Sequence, residues 1–539
     1  MASIGRASAF LASGTIVSRV LGFVKVIVLA GVIGQFGQST NAFAIANSLP
    51  NNVYVIIAGG VLTAVLVPQI TRASLHADGG TAYINRLLTL ALVILGIATI
   101  VATALAPALT LLYGANLKPG PLALATAFAF WCMPQIFFYG LYTVLGEVLN
   151  ARSSFGPFTW VPVLNNVVSI AGLLVFAFLF GADPDGVRLA TEFTPGMIAL
   201  LAGSATLGVV LQAVVLFYFW HRIGLRYRPD FHFRGVGLGA AGKMASWTFG
   251  MLLLSTIAGI VETRVLTLTG DTDASVQVLN TAWLIFMLPH SIITVSVATA
   301  YFTRMSEDAA VGKLTLVRAD ASSAIRGTTL IIVLATAVIA VCAYPFAAVF
   351  VRPFQQVQDS GNVIIAYIFG LVAFCILFVI QRTFYALGDT RTPFFFTLFQ
   401  VVLVIMGVLA CAALPTEWIA VGIGVTVTIA GIAQAILAAA LLRRRLGGID
   451  GRRILRSLVK YLVAAVPPII VGIILVVILG GTIEGGFALS GRAQAIVSMV
   501  IIGGVMSLAY FGMLLLMRSD ELRVFLVPLI NRFRPRGTN

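Results

Sequence analysis

Four charged residues, Arg19, Lys25, Glu262 and Arg264, stand inside long apolar runs of a 539-residue chain. An ionised group in hydrocarbon is costly and persists where it faces a cavity or a partner, so each is a candidate site residue. Three cations against one carboxylate favour an anionic ligand. Snorkelling competes with that reading for two of them: Arg19 lies about two turns inside one end of its run, and Arg264 about one turn from the end of its own. Neutral polar side chains occur in nearby runs, at Asn51, Asn52, Asn165, Asn166, Gln277 and Asn280. They could line the same cavity, and each serves equally well as a hydrogen bond between two helices.

Other residue types offer less chemistry. Cys132, Cys342, Cys375 and Cys411 are far apart in apolar runs and suggest neither a disulfide framework nor a metal site. His76, His221, His232 and His290 lack ligand spacing, and His290, after Pro289, reads as a packing or hydrogen-bonding residue. The stretch from Gly237 to Lys243, GLGAAGK, has the glycine and lysine spacing of a phosphate-binding loop. Met244 stands where that loop needs Ser or Thr, no strand precedes it and an apolar run follows, so nucleotide binding is rejected. Without a soluble domain, transport driven by ATP hydrolysis on this chain is rejected too. No enzyme chemistry and no cofactor are expected, and coupling to the membrane potential or to a monovalent cation is left as the energy source.

The elements that must position these residues are helices in lipid. Only 10% of residues are charged and 60% are hydrophobic. About fourteen runs are long enough to cross a bilayer at about 20 residues each. They fall near 8–34, 45–71, 87–113, 121–149, 158–181, 196–220, 244–268, 275–303, 327–351, 361–387, 394–414, 417–442, 458–480 and 493–517. A β-barrel would need strict apolar and polar alternation, which is missing. With a cytoplasmic N-terminus, about 27 of the 34 Lys and Arg fall on the cytoplasmic side, against Lys118, Arg188, Arg352 and Arg492 outside. The largest basic clusters follow the sixth and twelfth runs, at Arg222 to Lys243 and Arg443 to Lys460. They read as orientation signals beside anionic membrane lipids, so the net charge of +15 does not call for a nucleic acid. The first run is interrupted by Arg19 and Lys25 and lacks a small-residue cleavage site, so it is expected to stay in the mature protein.

The chain repeats itself. VLNARSSFGPF from Val148 recurs as ALGDTRTPF from Ala386, an offset of about 237 residues that also lays Ser18, Gly22 and Val24 on Ser255, Gly259 and Val261. Two pseudo-symmetric six-helix lobes follow, 1–225 and 235–447. Transporters duplicated in this way hold substrate between the halves and rock them alternately open. Two extra helices over 458–517 have no counterpart, and 518–539 forms a basic cytoplasmic tail. The same offset lays Lys25 on Glu262, which predicts an ion pair across the cavity. The fold class is an all-α membrane protein.

Several blocks carry a family resemblance: SRVLGFVK from Ser18, TNAFAIANSLPN from Thr40, AGGVLTAVLVPQ from Ala58, FFYGLYTVLGEVLNAR from Phe137 and FYALGDTRTPF from Phe384. In order and content they resemble the MurJ (MviN) lipid II flippases of the multidrug/oligosaccharidyl-lipid/polysaccharide exporter superfamily. That resemblance implies fourteen spans, two lobes around a central cavity, an apolar groove on the two extra helices, and alternating access. It implies movement of lipid II, an undecaprenyl-pyrophosphate disaccharide-pentapeptide, across the bacterial plasma membrane for peptidoglycan synthesis and cell shape, with cell-wall synthesis proteins as further partners.

A pyrophosphate headgroup needs fixed cations, and Arg19, Lys25 and Arg264, with Asn41, Asn51 and Asn52, are the substrate-binding candidates. The chain departs from better-studied members at Lys25-Val26, where they carry Arg-Asp. It departs again at Asn41, where they have Asp, at Tyr54, where they have Arg, and near Leu284, where their eighth-span Arg falls. Arg264 is the cation that could stand in for the last of these. Three other functions stay open: a flippase for another polyprenyl-linked oligosaccharide, a cation-coupled drug exporter, and a non-transporting cell-wall scaffold.

Overall fold

A backbone in hydrocarbon must satisfy its own hydrogen bonds, and a long apolar run does so as a helix. The structure, a computed structural model, describes residues 2–57, 81–152, 154–232, 238–270, 272–519 and 521–522. Among them are nineteen α-helices and no strand. The first ten are α1 (Ala2–Ile33), α2 (Gln38–Ile57), α3 (Thr81–Ala104), α4 (Ala106–Tyr113), α5 (Pro119–Cys132), α6 (Gln135–Ala151), α7 (Phe155–Phe180), α8 (Pro195–Arg222), α9 (Leu238–Leu266) and α10 (Val276–Pro289). The remainder are α11 (Val295–Ala310), α12 (Leu314–Val341), α13 (Ala343–Ala348), α14 (Phe354–Ile368), α15 (Leu371–Ala386), α16 (Arg391–Cys411), α17 (Thr416–Arg445), α18 (Gly451–Ile478) and α19 (Arg492–Leu516).

Thirteen helical segments of the described residues are long and apolar enough to cross a membrane. The expected second run, 45–71, is helical as far as Ile57, and its remainder lies outside the described residues, as does nearly all of the 518–539 tail. From Leu238 onward the glycine-rich stretch is already helix, which removes the loop a phosphate site would need.

Three of the thirteen segments are interrupted. Between α5 and α6, Pro134 lacks the amide hydrogen that would continue the ladder. Pro289 closes α10, and a π-turn over His290–Thr294 joins it to α11. Such turns accommodate one extra residue inside a helix. The third break falls at Phe369 and Gly370, between α14 and α15.

Two compact units divide the chain: Met1–Val278 with Val408–Ile419, and Leu279–Gly407 with Ala420–Asn539. In the first, α7 packs on α1 and α8, α2 on α5, and α6 on α3 and α8. Its apolar core sets Leu87, Leu88, Ala91 and Leu95 of α3 against Leu141, Val144, Leu145 and Val148 of α6, the three- and four-residue spacing of helix faces. Helices approach closely where a side chain is missing. A Cβ on Gly140 would strike Leu95, and one on Gly172 would strike Ser204.

In the second unit α12 is central, flanked by α11, α15 and α18. Leu330, Val333 and Leu334 of α12 meet Tyr461, Ala464 and Ala465 of α18 and Tyr510 and Leu514 of α19. The Tyr510 hydroxyl donates to the Leu330 carbonyl at 2.9 Å. Buried Arg326 makes a short ion pair with Glu521, whose Oε1 also accepts from the Ser457 hydroxyl at 3.2 Å. His290 is buried with its Nδ1 3.5 Å from the Cys375 sulfur, edge-on to Phe374 and Phe378.

Candidate substrate-binding cleft

Lys25 sits in the C-terminal half of α1, a helix whose only other basic residue beyond the first turns is Arg19. Gly14 and Gly22 let α1 lie against α7, because a Cβ on Gly14 would come within 2.8 Å of the Trp160 indole nitrogen and one on Gly22 within 3.8 Å of Asn166. Asn166 then donates to the Ser18 carbonyl at 3.0 Å. This contact fixes the rotation of α1 and carries Lys25 into a cleft of the first unit. About 490 Å³ of empty space lies there, part of it open at the surface. The cleft is lined by Lys25, Phe43 and Asn47, by Gln135 and Tyr139 of α6, by Asn165 and Ser169 of α7, and by Ser204 of α8, among others.

The neutral polar groups of this cleft are bonded to each other or to the frame. Asn165 donates through Nδ2 to Gln212 Oε1 at 2.9 Å, and the Ser169 hydroxyl donates to Asn165 Oδ1 at 3.3 Å. Gln135 donates through Nε2 to the Thr206 hydroxyl at 2.9 Å, while the Tyr139 hydroxyl donates to Gln135 Oε1 at 3.1 Å. Lys25 differs: among the described residues no hydrogen bond or ion pair reaches its ammonium, and it is the one ionised residue of the lining. A half-buried cation without a fixed counter-charge is unfavourable on its own and is compensated by an anion that enters.

The other candidates from the sequence are not gathered around Lys25. Arg19 is exposed on α1. Six residues at about 100° each turn it roughly 120° from Lys25, so the two cations do not share a face. Arg264 is exposed on α9, where its carbonyl accepts from Asn116 Nδ2 at 2.8 Å. Asn41 is buried and accepts the Gln277 backbone N–H at 3.2 Å, the interhelical alternative, and Asn52 donates to the Tyr113 hydroxyl at 3.3 Å. Asn51 and Asn280 are exposed. The expected Lys25–Glu262 ion pair is not formed. The helix of Glu262, α9, packs on α2 and α4, whereas the Lys25 cleft is lined from α1, α2, α6, α7 and α8.

Sequence reasoning found Lys25 and Asn165 but missed Gln135, Tyr139 and Ser204. It also passed over Glu147, four residues from the end of α6. The four-residue spacing of Gln135, Tyr139, Thr143 and Glu147 was the available signal.

A family model described as Lipid II flippase MurJ matches residues 30–510. The chain belongs to the MurJ family. A probable lipid II flippase MurJ of Rickettsia prowazekii (strain Madrid E) is 25% identical over 417 residues, covering 74% of this chain and 76% of the relative. In fold the chain is similar to a lipid II flippase MurJ solved in an inward closed conformation, with a TM-score of 0.70 at 17% identity over 94% of this chain and 99% of that one. A multidrug resistance MATE family transporter of the MOP superfamily, in an inward-facing conformation, is similar at a TM-score of 0.65 and 17% identity over 80% of this chain and 94% of the other. MurJ proteins are transporters rather than enzymes, and this one is a multi-pass protein of the bacterial inner membrane.

Proposed function

We propose that the chain carries lipid II from the cytoplasmic to the outer leaflet by alternating access, with both termini in the cytoplasm, and that the Lys25 cleft receives the anionic headgroup. MurJ family membership supports the activity. The observation that carries the assignment of the cleft is the single cation in its lining, half-buried and without a fixed counter-charge, among neutral groups already bonded. A pyrophosphate meets that demand, and the surrounding amides and hydroxyls suit a glycan better than they suit an apolar drug. Arg19 and Arg264, exposed on their helices, are cations the headgroup can meet in another conformation.

The test is complementation. In a strain depleted of its own flippase, the wild-type chain restores growth and prevents lipid II from accumulating in the inner leaflet. Lys25→Ala does neither at normal protein level, while Lys25→Arg keeps part of the activity because charge is retained. Growth of the Ala variant at the wild-type rate removes Lys25 from the site, and accumulation of a different lipid-linked precursor on depletion removes lipid II as the cargo.

A further inference from the structure

Helix α6 carries Gln135, Tyr139, Thr143 and Glu147 at intervals of four, on a sequence whose only other polar side chains are Tyr142 and Asn150. Each interval drifts about 40° around the axis, so the four form one slowly winding polar stripe. Its first two members line the Lys25 cleft. Tyr54 of α2 joins it from the side, its ring 5.6 Å from that of Tyr139 and its hydroxyl 2.6 Å from the Thr143 hydroxyl. Thr143 is bonded in turn to the Tyr139 carbonyl at 3.0 Å. Glu147, half-buried, stands at the far end, one turn from the close of the helix. Among the described residues no hydrogen bond or ion pair reaches its carboxylate.

The charged and titratable groups near that end leave it so. Tyr54 and Tyr142 are the titratable groups beside Glu147; the Tyr54 hydroxyl is bonded to Thr143 and the Tyr142 hydroxyl donates to the Phe158 carbonyl at 2.8 Å. Of the ionisable side chains on the helices packed against α6, Arg86 is bound to Asp230 and Arg222 lies over the Tyr218 ring. Tyr218 and His221 make no ion pair with Glu147 among the described residues, α7 contributes no ionisable group, and Tyr83 and Arg152, which closes α6, have contacts of their own. A metal cation would need several oxygen ligands in one shell, and Glu147 is a single carboxylate beside hydroxyls already bonded to each other. The ligand that fits is a proton.

We propose that Glu147 is a proton-binding site linked to anion binding at Lys25, an inference that rests on the reading of the Lys25 cleft as the substrate site. Protonation transfers one proton from hydronium, leaving water, to a Glu147 oxygen: one O–H bond of hydronium breaks and one forms on the carboxyl. It removes the negative charge at one end of the stripe and leaves Lys25 as the charge at the other. Tyr139 in the cleft lining and Glu147 stand eight residues apart on α6, about 12 Å of helix rise, and at that distance from a bound anion, in an effective dielectric of about 20, the loss of one unit charge strengthens anion binding on the order of tenfold. Linkage is reciprocal, so an anion arriving at Lys25 draws a proton onto Glu147 by the same factor.

The experiment measures lipid II binding to the full-length protein in nanodiscs by titration calorimetry across pH, in two buffers of different ionisation enthalpy. Wild type binds more tightly as pH falls and takes up a proton on binding. Glu147→Gln loses both the pH dependence and the uptake, and Glu147→Asp retains them with a displaced midpoint. Infrared difference spectra on acidification supply a second readout: a protonated carboxyl band in the wild type that Glu147→Gln lacks. Proton uptake and a carboxyl band that survive in Glu147→Gln overturn the proposal, and so does a wild type that binds lipid II with no pH dependence. A wild type that binds no lipid II at any pH overturns instead the reading of the cleft.

Discussion

Lys25 and Glu262 occupy equivalent places in the two halves of the sequence, yet equivalence by offset says nothing about how far each helix has rotated or what it packs on. In the structure Lys25 enters a cleft that α9 does not line. The double variant Lys25→Glu with Glu262→Lys is therefore expected to complement no better than the worse of its two single variants. Growth restored by the swap above both singles would show that the charges meet in another state. The same limit explains what was legible at this scale. Charges in apolar runs announce themselves by cost alone, so Lys25 could be picked out from the sequence. Whether Asn41 serves a ligand or Gln277, and whether Arg19 shares a face with Lys25, depends on rotations of tens of degrees that composition does not encode.

At the scale of elements the spans were legible because a run of about 20 apolar residues has few alternatives in lipid. The breaks in them were not. Pro134 and Pro289 mark two, while the third falls at Phe369–Gly370 without a proline. The tight seam between α7 and α8 depends on Gly208, where a Cβ would lie 2.8 Å from the Asn165 carbonyl and strike its side-chain oxygen. Gly208→Ala is expected to force the helices apart, weaken the Asn165–Gln212 bond and destabilise the protein by about 1–3 kcal/mol, read as a lowered melting temperature in detergent.

Outside the spans, the loop after α8 is tied to α3 by Asp230. Its carboxylate accepts from the His232 backbone N–H at 2.9 Å, meets the His232 ring at 2.8 Å and accepts from Arg86 Nε at 3.3 Å. The His232 backbone contact, then the His232 ring, then Arg86 hold this carboxyl below its usual range. A depressed carboxyl stabilises the fold above its unfolded value and loses that contribution as pH falls through the folded one. The loop should stay tied at neutral pH and loosen only below pH about 4. Pepsin cleavage between Ile223 and His232, normalised to an Asp230→Asn variant, checks this.

For the whole molecule, the bias of Lys and Arg predicts which side each loop faces. All four native cysteines are buried, so labelling reports introduced thiols against a low background. Asp185→Cys, in the exposed turn before α8, is expected to react with a membrane-impermeant maleimide in intact cells, and Arg444→Cys only after permeabilisation. The reverse pattern would invert the topology. The ties between α12, α18 and α19 also bear on how the protein is made. Leu330 waits for a hydroxyl 180 residues further along the chain, and Arg326 for a carboxylate 195 residues further. At about 5–20 residues per second, translation leaves α12 without these partners for on the order of ten to forty seconds after it leaves the ribosome. During that interval a guanidinium and several hydroxyls of α12 have only lipid, the insertion machinery or a chaperone to face. A chain stopped near residue 450 never escapes that interval, and its half-life in cells should be far shorter than that of the full-length protein.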